Sequence, residues 1–350
     1  MKLYLHIGTE KTGSSHLQSM CAINRNLLQQ NGVCFPLEGK DSKSLIKGEI
    51  SAGNAQSLTN SINANNFTEC ESFVAQCINQ ARVESCHSIF LSNELLLLAL
   101  SKDNKLQQFI SILNKLGVFE VEFLLILRDP IDQALSLYKH RAKSGSVLDI
   151  EEWPKKHYLY GKALVSFLEH EQLEKINLTV RKFSMVKGAL EIMLFREWLN
   201  IKEDLISPPK VVNPSLSLSE LILLKKVRKH QPFLVNILYR KLIKVPKKNK
   251  YENGSIEQYH KEILSNEMAK YKGTWEICNQ YLSTNEKIVI PKEDNKQILT
   301  NDKNSSFSDE QMEVIACIIS ESLTLKVRLS IKKLKFKMLV LNILKALNLK

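Results

Sequence analysis

Residues 8–15 read GTEKTGSS, directly after a short apolar run and directly before an amphipathic stretch. Gly8 and Gly13 let the backbone turn tightly, so that its amides point into the loop. A helix starting near Ser15 adds the positive end of its dipole. Lys11 supplies a mobile cation, and Ser14 and Ser15 supply hydroxyl donors. Together these make an anion-binding loop. The spacing satisfies G-x-x-x-x-G, but a Walker-type nucleotide loop needs lysine immediately after the second glycine. Ser14 stands there, and the lysine lies inside the loop. This argues against a magnesium-dependent ATP or GTP site. The plain structural alternative is a glycine turn with a solvated lysine.

A second stretch of interest is FLLILRDPIDQALSLYKHR, residues 123–141. Arg128 at the end of an apolar strand offers a rigid fork to a phosphate. Asp129 suits a helix N-cap and Pro130 the first helical position. Ser136 then falls near the second turn of that helix, facing the same crevice. Read alone, Arg128 and Asp129 would also suit a capping pair with local ion pairing.

The elements that position these residues follow from pattern. Residues 2–7, 87–92, 121–127 and 176–181 read as short buried strands, and helices are expected over 15–30, 69–82 and 105–116. Asn31-Gly32 closes the first helix. Residues 40–66, rich in Ser, Asn and Gly, read as loop. Strands separated by helices predict an α/β fold with a parallel sheet flanked by helices, whose ligands bind at the carboxyl ends of the strands. From about residue 215 the pattern is helical, with capping boxes at Ser217/Glu220 and Ser308/Gln311. The boundaries implied are a core over 1–220, a basic helical part over 221–322, and a basic amphipathic C-terminal helix over 323–350.

Composition bounds the partners. The 350 residues carry a net charge of +12, with 44% hydrophobic content, so one large core and a polyanionic partner are expected. Seven cysteines form no CxxC pair and no metal-ligand spacing, which favours a reducing compartment over a disulfide scaffold. No secretory leader and no run of about 18 apolar residues is evident. The expected location is the cytoplasm, either free or peripheral on the inner face of a membrane, since the last residues form the kind of helix that lies on anionic lipid. No nucleic-acid module is present and no nucleic-acid partner is expected.

IGTEKTGSSHLQ resembles the 5′-phosphosulfate loop of sulfotransferases that use 3′-phosphoadenylyl sulfate (PAPS), written K-[ST]-G-[ST]-[ST]. Lys11, Thr12, Gly13, Ser14 and Ser15 match position by position; Glu10 stands where a proline is common. The second element fits the family's R-x-P-x(5)-S-x-Y form through Arg128, Pro130, Ser136 and Tyr138. The resemblance assigns Arg128 and Ser136 to the 3′-phosphate. It spans roughly residues 3–220 and is nearest to bacterial carbohydrate-type members, through NGVCFP, LSNE and VNPSLSLSE. It implies a P-loop-like sulfotransferase core, PAPS as co-substrate with no metal required, PAP as product, and a hydroxyl acceptor on a glycan or glycolipid.

Sulfuryl transfer to an alcohol needs a base for the hydroxyl proton and a cation for the departing phosphate oxygen. Lys11 is that cation by its place in the loop. In the family the base follows the strand that precedes the Arg-bearing strand. That strand is HSIFLSNE here, which names Glu94. Glu94 would alternatively serve the start of the LLLLAL helix. Glu38 after the first helix is the second candidate. His16 and His140 are more remote ones, each better read as a phosphate neighbour or surface residue. Residues 40–66 and 144–160 are expected to form the acceptor pocket, and the basic run 225–250 could line a groove for an acidic glycan. Two other classes compete: a P-loop nucleotide or nucleoside kinase, and a non-catalytic membrane-surface protein.

Overall fold

The computed structural model describes residues 1–37, 45, 53–144, 148–207, 216–246, 254–292, 307–321 and 332–335. The chain divides into two compact units. A sheet unit comprises Met1–Tyr138, Leu148–Asn213 and His260–Ile298, and a helical unit comprises Lys139–Val147, Pro214–Tyr259 and Leu299–Lys350.

The sheet unit is α/β. Its five strands are β1 (Lys2–His6), β2 (Val33–Cys34), β3 (Ser88–Ser92), β4 (Glu120–Leu127) and β5 (Asn177–Lys182). They form one all-parallel sheet in the order β2-β3-β1-β4-β5. The register sets Leu5 of β1 between Leu91 and Phe123, and His6 between Ser92 and Leu124. Side chains alternate across the sheet. Tyr4, Phe90, Leu124 and Ile126 face a core built with Leu17, Met20, Leu194 and Phe195, sealed by Trp198 edge-on to Tyr4 and Phe90 at 5.1 and 5.6 Å. On the other face Phe123 stacks on Phe167 of the helix Tyr160–Leu168, with centroids 6.0 Å apart. Both faces are therefore covered by helices, as a parallel sheet requires.

Chain order decides where the sheet opens. After β1 the chain moves to the β2 side; after β4 it moves to the β5 side. Adjacent strands whose connections depart in opposite directions leave a crevice beyond their carboxyl ends. Here those strands are β1 and β4, and the two loops that follow them are residues 7–13 and 128–129.

Three local features differ from the sequence expectation. The first helix is two, Ser14–Ile23 and Arg25–Gln30, because Asn24 interrupts it. Its amide donates to Met20 O and Ile206 O, and its Oδ1 accepts from the Ile206 amide. Residues 56–63, expected as loop, are the helix Gln56–Asn63. Leu58 and Ile62, one turn apart, are fully buried, and buried Lys105 donates from Nζ to the carbonyls of Ile62 and Asn63 at the helix end. Burial and a cation at the C-terminus outweigh the weak helix propensity of Ser and Asn. The two-residue β2 was too short to leave a pattern. It pairs with β3 only at Ser88 and Ile89, and Asn54 continues the same edge, donating to Phe90 O at 2.9 Å and accepting from the Ser92 amide at 2.8 Å.

The helical unit has no strand among its described residues. Its helix Leu218–His230 starts at a full capping box of Ser217 and Glu220. Ser308 and Gln311 form the second expected box at the start of a helix over residues 309–321. The two boxes are joined, since Gln311 Nε2 donates to Glu220 Oε1 at 2.8 Å and both side chains are fully buried. Among the described residues no helix is long and apolar enough to cross a membrane.

Asn54→Ala should leave the Phe90 carbonyl and the Ser92 amide without partners. Each buried orphan costs about 1–3 kcal/mol. Denaturant unfolding that showed no loss would mean the edge of β3 is satisfied some other way.

Candidate active site

The first loop is held in a demanding backbone. Gly8 and Gly13 have φ of +27° and +87°. A Cβ on Gly8 would meet His6 Nε2 at 2.8 Å, and one on Gly13 would meet Leu190 Cδ1 at 2.6 Å. Lys11, with φ +69°, is also left-handed, a conformation that costs a side-chain-bearing residue about 1–3 kcal/mol and persists only where the surroundings impose it. The surroundings are specific. Thr12 Oγ1 donates to Thr9 O at 2.5 Å, closing the turn around Lys11. Thr9 Oγ1 donates to Ile126 O on β4 at 3.1 Å. The Glu10 amide donates to the Tyr160 hydroxyl at 3.2 Å, and that hydroxyl donates to Glu10 Oε2 at 3.2 Å. The helix Ser14–Ile23 then starts at Gly13 with no side chain capping its first turn.

The second element lies against the first. Arg128 leaves the end of β4 and donates from Nη1 to Lys11 O at 3.3 Å. Its guanidinium sits 5.6 Å over the Phe183 ring, within cation–π range. Burial lowers its pKa against the opposing pull of Asp132 and Asp129, and a guanidinium stays charged through such a shift. Gln133, on the helix Pro130–Arg141, donates to Glu10 O at 3.3 Å and is itself held by the Tyr158 hydroxyl at 2.8 Å. Ser136, three residues further on, therefore lies on the side of that helix that faces the loop, half-buried. Asp129 pairs with Lys182 Nζ at 3.0 Å and accepts from the Val289 amide at 3.1 Å, which ties the base of this element to β5.

Glu94 stands two residues past β3. It bonds to the Ser14 hydroxyl and accepts from Gln18 Nε2 at 3.4 Å, so two residues one helical turn apart address it from the helix that follows the loop. Burial raises its pKa, and the charge of Glu10 adds to that; the bonds from its own backbone, Gln18 and Ser14 pull the other way. Gln18 Nε2 also reaches Ser92 Oγ at 3.3 Å, and Ser92 Oγ is 2.8 Å from His6 Nδ1. His6 is fully buried, and burial lowers its pKa to about 4, so it is a neutral imidazole. Among the described residues its Nε2 has no hydrogen-bond partner, and it rests on Gly8. The start of the short helix Leu96–Leu100 is served by Asn93, whose Oδ1 accepts from the Leu95 amide at 2.8 Å.

Lys11, Thr12, Gly13, Ser14, Ser15, Arg128 and Glu94 thus gather around one loop, with Ser136 on its near side. Glu38 lies outside the described residues. His16 is exposed and 3.5 Å from Glu191, and His140 belongs to the far end of the helix Pro130–Arg141. Residues 153–157 of the expected acceptor segment are helical. Sequence reasoning passed over Gln18, Gln133, Tyr160 and Phe183. Of these only Gln18 carried a signal, a polar residue on the buried face of an amphipathic helix. No family model, curated protein or solved structure matches the chain.

The left-handed backbone at Lys11 separates its charge from its strain. Lys11→Gly and Lys11→Val both remove the ammonium. Valine should be less stable than glycine by about 1–3 kcal/mol in denaturant unfolding, because only glycine is at ease at positive φ. Equal stabilities would show that the loop relaxes.

Proposed function

We propose that the chain is a PAPS-dependent sulfotransferase with a P-loop-like core, acting on a hydroxyl of a carbohydrate acceptor. The observation that carries this reading is the direct bond from Arg128 to the backbone of Lys11. It joins two cationic anion-binding elements at the crevice between β1 and β4, and PAPS carries anionic groups at both its 5′ and 3′ ends. The donor set fits such a ligand: loop amides, the Lys11 ammonium, the hydroxyls of Thr12, Ser14, Ser15 and Ser136, and a guanidinium.

In this reading the acceptor oxygen forms a bond to sulfur as the bond from sulfur to the 5′-phosphate oxygen breaks. Glu94 takes the acceptor proton. Lys11 meets the charge that grows on the departing oxygen, an interaction strongest in the transition state. Arg128 and Ser136 hold the 3′-phosphate. Gln18 fixes the Glu94 carboxylate and favours its ionised form. The raised pKa of Glu94 suits a general base, whose proton affinity must approach that of the working pH.

Calorimetry with PAP should show binding that survives EDTA, and Arg128→Ala should weaken PAP far more than an analogue lacking the 3′-phosphate. No heat at saturating PAP, or binding of magnesium-ATP instead, would remove the proposal.

Glu94→Gln should lower turnover by about 10²–10⁴-fold with PAP affinity intact, and abolish the acid limb of the pH–rate profile. Gln18→Ala should keep that limb and move it to higher pH. The same raised pKa affects stability. The folded state holds the Glu94 proton more tightly than the unfolded chain, so this contribution is present at acid pH and lost as pH rises through the folded value. Glu94→Gln should therefore melt above the wild type at neutral pH, by a margin that shrinks toward about pH 4. A fixed margin across that range would detach Glu94 from the titration.

A further inference from the structure

The net charge of the chain is concentrated in one unit. The helical unit holds 22 Lys and Arg against 8 Asp and Glu, a net +14, and the sheet unit the remaining 27 against 29, a net −2. Within the helical unit one basic part is a helical hairpin. Its arms are the helices Leu218–His230 and Leu234–Leu242, and no acid occurs between Glu220 and Glu252. The turn between the arms is tight, with the Leu234 amide donating to Gln231 O at 3.0 Å and the Val235 amide to Pro232 O at 3.3 Å.

The two faces of the hairpin differ sharply. Leu221, Leu224, Val235, Leu238 and Leu242 are buried. At the tip Phe233 is 56% exposed, and Ile237, one turn further along, is 43% exposed on the same side. On the same hairpin Lys226, Arg228, Lys229, Arg240 and Lys244 are exposed. Lys241 is engaged by Glu321 at 3.0 Å. Exposed cations on both arms of the hairpin, together with two protruding apolar side chains, match the interface of an anionic bilayer. There the charges meet lipid headgroups, and the apolar groups sink toward the acyl boundary. A soluble acidic polysaccharide would engage the cations but bury less apolar surface of Phe233 and Ile237 than the acyl boundary does.

We propose that the tip of this hairpin, residues 226–244, is a peripheral docking surface for anionic membrane lipid. It involves the helical unit alone and does not depend on sulfuryl transfer.

The test is sedimentation of the full chain with phosphatidylcholine vesicles, with and without phosphatidylglycerol, alongside binding to soluble dextran sulfate. The wild type should bind only the phosphatidylglycerol vesicles. Phe233→Ser/Ile237→Ser changes exposed positions, so the fold should persist, as a melting curve will check. It should lower partition to those vesicles about tenfold or more while leaving dextran sulfate binding unchanged. Absent vesicle binding would overturn the proposal. So would vesicle binding insensitive to the double substitution, which would place the contact elsewhere on the chain. An equal loss toward vesicles and dextran sulfate would overturn it in favour of a polysaccharide.

Discussion

The position of β1 between β3 and β4 is the constraint on which the candidate site rests. Parallel pairing in register sets His6 beside both Ser92 and Leu124, so β1 and β3 end together and β4 runs three residues beyond them. Whatever follows them must then share one small space. The loop after β1, the guanidinium after β4 and the carboxylate after β3 meet there because their strands are neighbours, although they are spread over more than a hundred residues of chain. The bonds from Thr9 to Ile126 and from Arg128 to Lys11 depend on this placement, and they fix a loop that carries one strained lysine between two glycines.

That arrangement has energetic costs, and they fall at the same place. Lys11 occupies a left-handed backbone, His6 is neutral with an orphaned nitrogen, and Glu94 is held in surroundings that favour its proton. Ordinary packing gains nothing from any of these. Such departures tend to cluster where a protein is organised to act on something, and the sheet behind them, with Leu5, Phe123 and Leu125 sealed from solvent, supplies the rigidity they require.

Much of this was legible in the sequence for definite reasons. Buried parallel strands are continuous apolar runs, so FLLIL announced β4 and HSIFLS announced β3. The parallel sheet with helices between its strands followed from their spacing. Gly8, Gly13 and Pro130 each mark a backbone event that few other residues perform, and Arg128 marks a cation at the end of an apolar strand. The network beneath the loop was not legible. Gln18, Ser92 and His6 are common residue types, and only their distance across three elements gives them meaning. The helix Gln56–Asn63 was missed because its stability comes from elsewhere: the burial of Leu58 and Ile62, and the ammonium of Lys105 at its end. The interruption at Asn24 likewise depends on Ile206, a partner 182 residues away.

The buried bond between Gln311 and Glu220 has a temporal consequence. Two helix starts, 91 residues apart in sequence, are joined by this bond. A chain emerging from the ribosome makes the first of these helices long before the second exists. Until then the Glu220 carboxylate must remain in water, or be buried without its partner amide at a cost. The helical unit is therefore expected to close late in synthesis, after a wide loop has been drawn together, and its assembly should be slow compared with that of its individual helices.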